Sequence, residues 1–173
     1  TIRLDANGAF EPSEALDKLA ILSEFNIHSL EQPIRAGNAV QMSKIIEKSP
    51  IPIALDEELI GLTSSNHKEQ LLDQLMPHFV VLKPSLHGGL AGCDEWIQQA
   101  EKRGIQWWAT SALESNVGLN AIAQWVMNYP LVLPQGLGTG MLYSNNIASP
   151  WTMEKGSLLW NSHLYWGEMP AQP

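Results

Sequence analysis

The sequence predicts an α/β fold built on a parallel sheet. Three observations carry this. Short apolar runs alternate with amphipathic stretches, the alternation repeats about every 26 residues, and four successive runs end in a charged residue. The runs cover residues 2–5, 28–31, 51–56, 79–83, 107–110 and 131–135. They are rich in Val, Ile, Leu and Trp and are flanked by Pro or Gly, as expected of strands buried on both faces.

The stretches between the runs carry helical spacing. Ala15, Leu19 and Leu22 fall at i, i+4, i+7, and Cys93, Ile97 and Ala100 repeat that pattern. Ala39, Met42 and Ile46 fall at i, i+3, i+7, while Leu119, Ile122, Ala123 and Val126 make one complete helix face. The third stretch, around Leu71, Leu72 and Leu75, is shorter but agrees. Pro12 suits a first helical turn and Gly104 a helix exit. Strands alternating with helices imply right-handed βαβ crossovers. An open doubly wound sheet and part of a closed barrel both satisfy this pattern. Residues 139–173 break the repeat. They carry Trp151, Trp160 and Trp166 without a clean period, and read as a C-terminal extension packing back on a body that spans 1–138.

Composition narrows the class of function. The chain has 173 residues, 45% of them hydrophobic and 16% charged, which suits a folded core rather than a disordered segment. A net charge of −8 argues against nucleic acid and anionic membranes as partners. The lone Cys93 allows no internal disulfide, which fits a reducing, cytoplasmic compartment. The apolar runs are too short to span a bilayer. The chain opens on Thr1 rather than Met, so a longer parent protein is expected.

The charged strand ends are the candidate site. Asp5, Glu31, Asp56 and Lys83 close the first four runs, and ligands of parallel α/β folds bind at the C-terminal ends of strands. A lone Asp after a strand is more often a turn or cap residue. Three acids in phase with the repeat are a different matter, because carboxylates brought together repel unless a cation compensates them. Hard oxygen donors with no His or Cys favour Mg²⁺ or Mn²⁺ over Zn²⁺. Lys83, ending an otherwise apolar strand at the level of the acids, is placed for chemistry, although a lysine whose stem packs and whose ammonium reaches solvent reads the same way.

As a set these residues resemble the enolase superfamily, in its muconate-lactonizing subgroup. Arg3-Leu4-Asp5-Ala6-Asn7, Leu30-Glu31-Gln32-Pro33, Leu55-Asp56-Glu57 and Val81-Leu82-Lys83-Pro84 look like its third to sixth barrel strands. Thr110-Ser111-Ala112-Leu113-Glu114-Ser115 resembles the seventh, and Gly136-Leu137-Gly138-Thr139-Gly140 the loop after the eighth. Within the subgroup the likeness is to the o-succinylbenzoate synthase family, lyases that dehydrate a cyclohexadiene carboxylate on the route to menaquinone. Muconate cycloisomerase and N-succinylamino acid racemase are the alternatives within the superfamily. Dipeptide epimerases carry an Asp-x-Asp at the eighth strand, where this chain has Gln135-Gly136-Leu137-Gly138.

The resemblance implies a partial (β/α) TIM-type barrel, with six units equivalent to strands 3–8. It implies that Asp5, Glu31 and Asp56 bind Mg²⁺ or Mn²⁺, that Lys83 faces the substrate ring or acts as acid or base, and that Arg3, Asn7 and Ser111 meet a small carboxylate substrate. For Asn7, Ser111 and Glu114, turn or cap chemistry is an equal reading. The family also has a capping domain and a Lys-x-Lys on the second strand, whose second lysine is the general acid/base. No Lys-x-Lys occurs in this sequence. The chain alone is therefore expected to be inactive, with the N-terminal half of the same protein as its partner and exposed strand edges inviting self-association. A receiver-like Mg²⁺-binding signalling domain is the reading from another class, since it too combines acidic strand ends with a Lys-Pro.

Overall fold

The computed structural model describes residues 2–168 and groups the chain into two compact units, Thr1–Trp108 and Ala109–Pro173. The first holds strands β1 (Ile2–Asp5), β2 (Ile27–Glu31), β3 (Ile53–Leu55) and β4 (Phe79–Leu82), alternating with helices α1 (Ala15–Leu22), α2 (Ala39–Lys48), α3 (Ser65–Leu75) and α4 (Gly89–Glu101). With β5 (Gln106–Ala109) these strands form a five-stranded sheet in the order β1-β2-β3-β4-β5, and β1 to β4 pair parallel. Sequential order with a helix in every crossover is the wall of a (β/α) barrel. A receiver has the order 2-1-3-4-5, so the signalling-domain reading does not hold.

Two-sided burial explains the apolar runs. Every residue of β3 and of β4 is buried. One face of the sheet sends Leu30, Ile53 and Leu55 into a core shared with Ala15 and Leu19 of α1 and Met42, Ile45 and Ile46 of α2. Each such aliphatic side chain contributes about 1.5–3 kcal/mol by leaving water. Local chemistry fixes the helix ends. The Asn38 and Ser64 side chains accept the backbone N–H groups of Gln41 and His67, capping α2 and α3. After α4, Gly104 turns left-handed at φ +69°, and the Ile105 N–H reaches back to the Ala100 carbonyl at 3.0 Å. Pro12 falls in the turn before α1 rather than in its first helical turn.

In the second unit α5 (Asn116–Val126) buries all four residues of its expected face, Leu119, Ile122, Ala123 and Val126. The sixth run does not form the expected strand. Residues 131–135 have no ladder, and one parallel bridge, Thr110 to Gly136, stands in its place. Pro130 and Pro134 have no N–H to donate. The side chain of Gln135 substitutes for the missing ladder, its Oε1 accepting the Ala109 N–H at 2.6 Å. Gly136 is required where it stands, because an added Cβ would collide with the Thr110 side chain.

The tail holds a feature that the sequence reading missed, an antiparallel hairpin of β6 (Trp151–Glu154) and β7 (Ser157–Trp160). Its turn is Lys155-Gly156, both residues left-handed, and Trp151 meets Trp160 across the strands edge to face at 5.3 Å. Trp151 also donates its indole N–H to Asn120 of α5 at 2.8 Å, which ties the hairpin to that helix.

Candidate metal and proton-transfer site

Strand register brings the charged ends to one face. Asp5 pairs with Glu31, so the two are level. Glu31 pairs with Ala54, and Asp56 lies two residues beyond Ala54 on the same face. Leu55 pairs with Val80, which sets Val81 beside Asp56 and leaves Lys83 two residues further on, again on that face. The step of two from β2 to β3 and again from β3 to β4 compensates for the stagger of tilted strands and keeps the charged groups on one face.

The side chains then meet. Lys83 Nζ forms an ion pair with Asp56 Oδ2 and lies 3.9 Å from Glu31 Oε1. Asp56 is almost wholly buried, with 1% side-chain exposure, and its Oδ1 has no hydrogen-bond partner. Burial and the charges of Asp5 and Asp56 push the Glu31 carboxyl up to about 8. Burial raises Asp56 too, against the opposing pull of Lys83. Burial pulls the Lys83 ammonium down, but Asp56 and Glu31 outweigh it and hold the group above its ordinary value. Asp5 is more exposed, and its Oδ1 accepts the Asn7 backbone N–H at 2.8 Å in a local turn where Asn7 has φ +45°.

Arg3 sits two residues before Asp5 on the same face, its guanidinium 4.0 Å above the Trp108 ring. Behind the acids, His28, Phe79 and Trp108 form an aromatic floor, with His28 and Phe79 centroids 4.8 Å apart. A register shift between Ile2 and Arg3 gives β2 an extra residue at His28 and turns its ring to this side. Ser111 belongs to the second unit. There it is buried, accepts the Thr139 hydroxyl at 2.6 Å and accepts the Leu113 N–H at 2.8 Å.

Two residues of the site escaped the sequence reading. Gln32, fully buried with φ +41°, accepts the Asp56 N–H through Oε1 at 3.2 Å. His87, also buried, accepts the Lys83 N–H through Nδ1 at 3.0 Å and places Nε2 3.6 Å from Asp56 Oδ1. Burial, with Lys83 and Lys68 nearby, lowers His87 to about 4. A polar residue directly after Glu31 and a histidine four after Lys83 were the available signals.

Among the described residues no three of His, Cys, Asp and Glu close on a single point as the side chains stand. The donor chemistry nevertheless fits a hard divalent cation. The set is all carboxylate oxygen, and burial beside Asp5 and Asp56 holds Glu31 well above the ordinary carboxylate range, a cost that added positive charge relieves.

The family described as "Enolase C-terminal domain-like" matches residues 1–161. The chain is a member of that family. Among enolase-like relatives, o-succinylbenzoate synthase of Desulfotalea psychrophila is 51% identical over 157 residues, covering 91% of this chain and 42% of the relative. The crystal structure of MenC from Desulfotalea psychrophila LSv54 superposes with a TM-score of 0.88 at 51% identity, over 91% of this chain and 44% of that one. The structure of muconate cycloisomerase from Pseudomonas fluorescens gives a TM-score of 0.83 at 26% identity, over the same shares. An L-Ala-D/L-amino acid epimerase of Maribacter sp. is 30% identical over 72% of this chain and 35% of its own length. This enolase-like chain therefore spans less than half the length of the relatives it matches.

Proposed function

We propose that this chain supplies the metal-binding strand ends and one lysine of a Mg²⁺-dependent o-succinylbenzoate synthase, a lyase. The observation that carries this reading is the 51% identity to a synthase of that name across 91% of the chain. The electrostatics of the strand ends support it.

The reaction removes the proton on the carbon beside a substrate carboxylate and expels hydroxide from the adjacent carbon, giving the aromatic acid and water. A divalent cation held by Asp5, Glu31 and Asp56 would supply positive charge where the carboxylate gathers negative charge. Burial raises both Glu31 and Asp56, so without a cation they favour their protonated forms, and a bound cation would draw them to the carboxylate form. Lys83, kept charged by Asp56, presents an ammonium to the face where the substrate ring would lie. Arg3, fixed over Trp108, offers a second positive group to an anionic substrate. The general acid/base lysine of the family would come from the remainder of the protein, as would the cap that excludes water.

The test is reconstitution. This chain, mixed with the remaining half of its protein, should restore metal-dependent dehydration, while the chain alone should not turn over. Turnover of a muconate or an N-succinylamino acid in place of the cyclohexadiene carboxylate would move the assignment to the cycloisomerase or the racemase.

A further inference from the structure

We propose that His87 is a positioning residue for Asp56, holding Oδ1 so that Oδ2 is the oxygen presented to Lys83 and to a divalent cation. This rests on the reading of Asp56 as a metal ligand.

The argument starts in the loop after β4. The N–H groups of Leu86 and His87 both return to the Lys83 carbonyl, at 2.8 and 3.0 Å, so the chain folds back over the end of its own strand. That fold places the imidazole against the Lys83 N–H, which donates to Nδ1 at 3.0 Å. A ring nitrogen that accepts a backbone N–H carries no proton, so the single ring hydrogen sits on Nε2. The turn thereby selects the tautomer. Nε2 faces Asp56 Oδ1 at 3.6 Å, and both groups are buried, with side-chain exposures of 0% and 1%. Each of these atoms lacks a hydrogen bond.

Leaving two complementary buried groups apart is costly, and a shift of roughly half an ångström brings them into the ~2.7–3.2 Å range of a hydrogen bond. The other oxygen of the same carboxylate is engaged with Lys83. The two oxygens of Asp56 are thus sorted, Oδ1 toward His87 and Oδ2 toward the face that carries Glu31. Histidine–carboxylate contacts behind metal ligands are a general means of orienting them.

Two substitutions separate the two jobs of the ring. Gln reaches as far as Nε2 and can donate to Oδ1. Asn reaches only the Nδ1 position and keeps the acceptor for the Lys83 N–H. Mn²⁺ alone is titrated against the intact protein by electron paramagnetic resonance. His87→Asn should weaken binding by about 10–100-fold, whereas His87→Gln should stay within about threefold of the parent. Equal affinities for Asn, Gln and the parent would overturn the inference and leave the acids as ligands. Loss in both variants alike would overturn it too, because a merely structural histidine gives that pattern. A parent protein that does not bind Mn²⁺ would overturn both the ligand reading and this one. Imidazole ¹⁵N spectra of the unsubstituted protein add a check independent of folding. They should show His87 protonated at Nε2 and bare at Nδ1, and the reverse tautomer would refute the proposal.

Discussion

The side-chain oxygen of Gln32 accepts the backbone N–H of Asp56 at 3.2 Å, while its amide nitrogen donates to the Ile34 carbonyl at 3.1 Å. One residue past Glu31, a single side chain thus fastens the end of β2 to the residue that carries the next carboxylate. Gln32→Ala would leave buried backbone groups unpaired and should cost about 1–3 kcal/mol, read as a lower urea midpoint. An unchanged midpoint would mean that water replaces the amide.

Lys83 and Asp56 form an ion pair within the site. In the reconstituted protein Lys83→Ala should lower kcat by about 10²–10⁴-fold, the usual worth of a proton-transfer group. Mn²⁺ affinity should hold or rise, since a competing cation is removed from Asp56. Lys83→Arg should not rescue turnover, because a planar guanidinium does not reproduce a compact ammonium. Near-normal kcat in Lys83→Ala would reduce the lysine to a packing residue.

The pH dependence of stability without metal follows from two groups of opposite sign. His87 is lowered from 6.5 to about 4, so its contribution is complete above 6.5 and lost as pH falls through 4. Glu31 is raised from 4.5 to about 8, so its contribution is complete below 4.5 and lost as pH rises through 8. Between 4.5 and 6.5 the two slopes oppose each other. Above 6.5 that of His87 is spent while that of Glu31 remains, and urea midpoints should fall from there through pH 8. Glu31→Gln should flatten that alkaline limb, and a limb that survives the substitution would locate the titration elsewhere.

Lys68 is buried, its side chain 1% exposed, and its ammonium donates to the Gly92 carbonyl at 3.0 Å and to Glu95 at 2.7 Å. Glu95, 48% exposed, can find water when the pair is broken, but Lys68 cannot. Glu95→Ala should therefore destabilise the protein more than Lys68→Met, by about 1–3 kcal/mol in urea titrations. The reverse order would show that the lysine stem, rather than its charge, dominates.

Much of the candidate site was legible in the sequence because each of the first four apolar runs ends in one charged residue. Asp5, Glu31, Asp56 and Lys83 stood out for that reason, and the register places all four on one face. Gln32 and His87 were not legible. Their roles depend on a left-handed backbone at φ +41° and on a turn that folds the ring back over Lys83, which no local pattern encodes. The run at 131–135 misled for the opposite reason. Its apolar residues look like a strand, but its prolines withhold the donors that a ladder needs, and Val132 ends up 77% exposed. The hairpin at 151–160 was signalled only by Lys155-Gly156, a weaker form of the usual Asn-Gly turn.

Because the charged residues sit level or two residues apart on neighbouring strands, parity is the quantity that this sheet must protect. Deleting one residue inside β3 would swap the inward and outward sets. Leu55 would then point among the acids, and Asp56 would be driven into the apolar layer beneath α2 and α3. Lengthening the loop after Gly61 by any number of residues leaves the frame untouched. Such a chain tolerates insertions between its elements and punishes single-residue slips within them, however conservative the amino acids involved.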